Sequence, residues 1–104
     1  MRKNDKILEL FLTELRKNLG THCKEVILFG SRARGDNEEQ SDYDCLVFLD
    51  TATPELKNIV DEVAGEFLYS HNALFSVFCI EESKKEDLEY DPFYINAKRE
   101  GIAV

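Results

Sequence analysis

The chain has no apolar run approaching the ~18–20 residues that a membrane span needs. Its opening, Met1-Arg2-Lys3-Asn4, leads into an amphipathic pattern and not into the apolar stretch of a signal peptide. Cysteine is scarce: Cys23, Cys45 and Cys79 form an odd, scattered set with no C-x-x-C or Cys/His spacing. That argues against a metal role for them and suits buried, reduced thiols in the core of a cytoplasmic protein. Positive charge is also short, with 13 Lys and Arg against 21 Asp and Glu, for a net charge of −8. A partner of the nucleic-acid backbone would carry a basic face. Here the acids gather at Asp36–Glu39 and Glu81–Asp91, so nucleic-acid binding is discounted. An acidic surface serves solubility, or docks a basic protein partner. Repeats, linkers and low-complexity segments are likewise missing.

What remains is enough for one domain spanning residues 1–104. The 43% apolar and 11% aromatic content supports a packed globule. Apolar residues at 7, 8, 11, 12, 15 and 19 follow one helix face, with Asn4 or Asp5 able to cap its start and Gly20 its end. Glu25–Phe29 reads as a buried strand, Arg32–Arg34 as a short helical turn, and Asp36–Gln40 as a polar loop. Cys45–Leu49 is a second strand. Thr53-Pro54 opens a helix running to about Tyr69, with Leu56, Ile59, Val60, Val63 and Phe67 as its stripe. Leu74–Ile80 is a third strand, and Ser83–Tyr90 a charged helix or loop. Asp91-Pro92 caps a last helix, Phe93–Glu100, stopped by Gly101. The order predicts an α/β (α+β) fold, a small mixed sheet flanked by helices. The directions of the strands are not fixed by this pattern.

The segment that carries chemistry is GSRARGDNEEQSDYD, Gly30 to Asp44, bounded by VILF and CLVFL. A strand that ends in Gly-Ser and opens a helical turn offers backbone N–H groups and a hydroxyl to a phosphate. Gly30 permits the required backbone angles and close approach. Taken alone, Gly30-Ser31 reads more simply as a strand-to-helix turn with Ser31 as its N-cap. Asp42 and Asp44 are i and i+2 on a strand, so their carboxylates share one face roughly 7 Å apart, with Tyr43 on the other. Such a pair repels unless a cation sits between, and Mg²⁺ or Mn²⁺ accepts carboxylates together with phosphate oxygens. Taken alone, the D-x-D reads as an acidic turn. Arg32 and Arg34 lie about 200° apart around a helix and cannot both face one phosphate. His22 and His71 fall in turns without a nucleophile or ligand at useful spacing and read as surface residues.

Gly-Ser, ten residues, Asp-x-Asp resembles the signature of the nucleotidyltransferases related to DNA polymerase beta. GSRARG…SDYD is similar to their minimal nucleotidyltransferases, about this long and often encoded beside a HEPN-domain partner. The resemblance covers nearly the whole chain. It implies the topology of that fold, ATP as substrate, and catalytic and metal-binding roles for Asp42 and Asp44. It implies phosphate contact at Gly30 and Ser31, with Arg34 bracing the loop or neutralising phosphate. The reaction implied is attack by a hydroxyl on the α-phosphate with loss of pyrophosphate, helped by two metal ions.

The chain departs from the family in one respect. Active members carry a third carboxylate on the neighbouring strand, and Leu74–Ile80 contains no acid. The favoured register puts Ser76 at that place. Glu82 shares its face but lies roughly 20 Å along the strand, while Glu38 or Glu39 could fold back from the loop. The expected function is transfer of AMP from ATP to a hydroxyl on a partner protein, as antitoxin of a HEPN-type toxin. The alternative is a weakened or inactive module that binds nucleotide or neutralises a partner by contact. A small-molecule nucleotidyltransferase of the aminoglycoside kind is weaker, because the chain lacks a second domain to build the acceptor pocket.

Overall fold

The computed structural model describes residues 5–35 and 42–104; the expected loop at Asp36–Gln40 lies outside them. Helix α1 (Lys6–Leu19) starts where Asp5 accepts a hydrogen bond from the Leu8 N–H at 3.0 Å. It ends at Gly20, whose φ of +60° suits glycine. Leu8, Phe11, Leu12, Leu15 and Leu19 form its buried stripe. Strand β1 (Cys23–Phe29) runs into the short helical turn α2 (Ser31–Arg34), and β2 is Tyr43–Leu49. Helix α3 (Pro54–His71) begins with Thr53 accepting from the Leu56 N–H and Pro54 at the first position. Strand β3 is Phe75–Glu81, and two 3₁₀ turns, Glu82–Lys84 and Glu86–Leu88, fill the charged stretch. Helix α4 (Pro92–Glu100) is capped by Asp91, which accepts from the Phe93 and Tyr94 N–H groups.

The sheet order is β3-β2-β1-β4. β1 pairs antiparallel to β2, β2 parallel to β3, and a two-residue strand β4 (Ile102–Ala103) antiparallel to β1. The sheet is mixed, as expected. β4 is an addition, seated where Gly101 ends α4 against β1. A Cβ on Gly101 would intrude on the Ile27 Cγ2 and lie 2.5 Å from the Ala97 carbonyl oxygen.

Alternation along β2 assigns its two faces. Tyr43, Cys45, Val47 and Leu49 join α1 and α3 in the larger core, whereas Leu46 and Phe48 meet Tyr94 and Ala97 of α4 on the other side. Every residue of β2 is buried except Asp44. Phe11 stacks on Phe75 with ring centroids 3.7 Å apart, and Tyr43 stacks on Phe75 at 4.3 Å, so aromatic contacts tie α1 to the first residues of β2 and β3. Burial pushes the Cys45 thiol up to about 12 and also raises Cys23 and Cys79; all three are free thiols. Among the described residues no helix is long and apolar enough to cross a membrane.

Candidate functional site

The antiparallel pairing of β1 with β2 sets Phe29 opposite Asp44, so the end of one strand meets the start of the other. Gly30 follows at φ +77°, ψ −159°, a conformation that is essentially glycine's alone. A Cβ at this position would lie 2.6 Å from Asp44 Oδ2. Gly-Ser and D-x-D, separate in sequence, are thus one place in space, and the missing Cβ makes room for a carboxylate oxygen. Gly30 takes the N-cap position of α2, with its carbonyl accepting from the Ala33 and Arg34 N–H groups at 3.1 Å. Ser31 is the first residue of the turn and does not cap it, which corrects the simpler reading of that pair.

Asp42 is exposed, and Asp44 is half-buried behind it. Burial raises the Asp44 carboxyl above its ordinary range, and the Asp42 charge raises it further. The Asp42 charge is thus near enough to act on Asp44. Among the described residues no group of three His, Cys, Asp or Glu side chains stands ready for a metal. The residue across from Asp44 on β3 is Ser76, while Tyr43, Cys45 and Leu46 pair with Phe75, Val77 and Phe78, so no acid faces the start of β2 from this strand. Glu38 and Glu39 lie outside the described residues. The pair present suits a hard divalent cation that draws its other oxygens from a ligand.

The two arginines of α2 diverge, as the helical rotation requires. Arg32 lies 3.6 Å from Asp5 and 3.9 Å above the Tyr43 ring. Arg34 donates to Glu100 Oε1 at 3.0 Å, joining α2 to the end of α4.

Asp5 is a residue whose part sequence reasoning missed. It caps α1, accepts from the Tyr43 hydroxyl at 2.8 Å and faces Arg32. Burial, and then the bond to Asp5, push the Tyr43 phenol up to about 12, so it remains a donor. This bracket pins Tyr43, and alternation along β2 puts Asp44 on the opposite face. A helix-capping Asp is visible in sequence, but its bond to a tyrosine 38 residues away is not. His22 and His71 are exposed, as expected; His22 lies 2.9 Å from Asp50, at the end of β1 remote from Gly30.

The sequence model of the nucleotidyltransferase domain matches residues 8–102. Two provisionally named protein adenylyltransferases of Methanocaldococcus jannaschii are similar. One is 35% identical over 75 residues, covering 67% of this chain and 75% of that protein. The other is 32% identical over 78 residues, covering 72% of this chain but only 53% of that protein. Among solved structures, a toxin–antitoxin complex with AMP-PNP superposes with a TM-score of 0.61 over 91% of this chain and 70% of its own. Its sequence identity is 17%, so it speaks for the fold alone.

Proposed function

Because this chain belongs to the nucleotidyltransferase domain family, we propose that it binds ATP with a divalent cation and transfers AMP to a hydroxyl on a partner protein. The observation that carries this reading is the contact of Gly30 with the Asp44 carboxylate, which makes one site of the two motif halves. In this account Asp42 and Asp44 would hold Mg²⁺ or Mn²⁺, which would supply Lewis-acid charge neutralisation at the triphosphate. Gly30 keeps the approach clear of side-chain atoms, and the Ser31 hydroxyl donates to a phosphate oxygen. Arg34 braces α2 against Glu100, and sharing that guanidinium with a phosphate would add charge compensation. The acceptor oxygen bonds to the α-phosphorus as the bond to the bridging oxygen of pyrophosphate breaks, and the hydroxyl proton passes to solvent. Positioning and charge neutralisation supply most of the rate in such transfers.

The protein-directed activity draws support from the names of the two adenylyltransferases. The toxin–antitoxin complex with AMP-PNP shares the fold, and the antitoxin role and adenine nucleotide of this proposal are drawn by analogy with it. A HEPN-type toxin as the target, in the cytoplasm, follows from the sequence resemblance. The net charge of −8 is in keeping with a protein partner and not with nucleic acid.

One observation favours a second reading, a nucleotide-binding module with weak or no turnover. The register sets Ser76 beside Asp44, on the strand where active relatives would place a third acid. Radiolabelled ATP and Mg²⁺, added to this chain and a lysate of its host, separate the two. Transfer predicts protein-bound label that is lost in Asp42→Asn/Asp44→Asn. Label absent with wild type, while ATP still binds, would establish the module.

A further inference from the structure

The two outer strands of the sheet are unlike each other. β4 is two residues long and leaves almost nothing to pair with. β3 is seven residues long and pairs with β2 in unbroken register from Phe75 to Glu81. Edges of that length are ordinarily blunted by lysine, proline or a bulge. Phe75–Ile80 has no charge and no proline, and its register has no irregularity.

One hydrogen bond shows which backbone groups this edge presents. The Tyr43 N–H donates to the Leu74 carbonyl at 2.9 Å. In a parallel ladder a residue bonds to the two neighbours of its opposite number. Tyr43 is opposite Phe75, so Leu74, Ser76, Phe78 and Ile80 turn their backbone groups toward β2. Phe75, Val77 and Cys79 turn theirs outward, away from the sheet. At the middle of the strand sits Phe78, 43% exposed, its ring against Phe93 at 5.2 Å and Phe29 at 6.2 Å.

We propose that β3 is the docking edge for a second copy of this chain, paired antiparallel to form a two-fold dimer with one eight-stranded sheet. Closure argues for this occupant. A head-to-tail contact of β3 with β4 would propagate into a filament, but β4 is too short to support it. β3 with β3 closes on itself. A two-fold axis perpendicular to the sheet keeps each side chain on its own face, so opposing residues must share a face. The register centred on Phe78 meets that condition. It sets Phe78 against its symmetry mate in a non-hydrogen-bonded pair, where side chains approach closest. Val77 and Cys79 then exchange N–H···O=C bonds with Cys79 and Val77 of the other copy, using the outward groups. The contact is centred on uncharged residues, so the net charge of −8 opposes it only at long range, where salt screens it. Both Asp44 carboxylates lie on the same face of the joined sheet. The proposal does not depend on the nucleotide reading.

Light scattering coupled to size-exclusion chromatography, at tens of micromolar protein, tests it. The wild type is expected at twice the 12.0 kDa of one chain. Val77→Pro removes an outward N–H that no bond within the sheet uses, and edge strands tolerate proline there. Phe78→Lys places a charge at the dyad. Both variants are expected to be folded by circular dichroism and to run at the mass of one chain. Should Val77→Pro unfold, Phe78→Lys decides. A wild type that is monomeric, that pairs only with another protein or that forms open-ended aggregates overturns the proposal. So does a dimer that survives Phe78→Lys.

Discussion

Replacing Gly30 by alanine perturbs backbone and site together, and the two effects can be measured apart. At φ +77° and ψ −159° an L-residue is strained by about 1–3 kcal/mol. For a domain of this size each kcal/mol lowers Tm by roughly 4–8 °C. The new Cβ also lies 2.6 Å from Asp44 Oδ2, so the carboxylate must rotate away from its place beside Asp42. Gly35→Ala is the control. Gly35 has φ +84° and ψ 8°, and nothing lies within 4 Å of its would-be Cβ. There the left-handed conformation costs about 1–2 kcal/mol and Asp44 is untouched. Urea unfolding with calorimetric titration of ATP in Mg²⁺ reads both quantities. Both variants are expected to lose stability, and only Gly30→Ala to lose nucleotide affinity, by tenfold or more. Undiminished ATP affinity in a folded Gly30→Ala would refute the claim that Gly30 and Asp44 act as one site.

Ser76→Asp, set across from Asp44, is expected to lower Tm without metal, to recover it with Mn²⁺ or Mg²⁺, and to raise AMP transfer; a Tm indifferent to metal would remove Ser76 from the site. Gly101→Ala is expected to cost about 1–3 kcal/mol in urea unfolding by overpacking against Ile27 and Ala97; an unchanged midpoint would mean that α4 shifts freely. Glu81 accepts from the Ala52 N–H at 3.0 Å and from the Ser83 hydroxyl, which hold its carboxyl below the ordinary range. A depressed carboxyl stabilises above its unfolded value of about 4.3 and loses that contribution as pH falls through the folded value. Melting curves below pH 5 are therefore expected to fall more steeply for wild type than for Glu81→Gln, and parallel curves would contradict the assignment.

Local signals carried most of the fold. Asp5, Thr53 and Asp91 cap helices where the pattern put them, because a cap is an agreement between residues two or three positions apart. Strand directions needed the three-dimensional chain, since an apolar run such as Cys45–Leu49 reads alike in either direction. β4 was missed because two residues carry no periodicity. Gly30, Ser31, Asp42 and Asp44 stand out in sequence by type and spacing as the expected site, but that Gly30 abuts Asp44 took the folded chain to see; the register of Ser76 against Asp44 is the one expected. The props were not legible. Asp5 with Tyr43 and Arg34 with Glu100 join residues 38 and 66 positions apart, and single charged residues give no sign of such distant partners.

Calorimetry of ATP binding to wild type and to Asp42→Asn/Asp44→Asn, each with and without Mg²⁺, tests the central claim most directly. Neutral amides cannot offset the charge of a cation-bound triphosphate, and neither side chain is part of the buried core. The account predicts Mg²⁺-dependent binding in the wild type, none in the double variant, and a folded protein in both. Equal ATP affinity in the two proteins would contradict it.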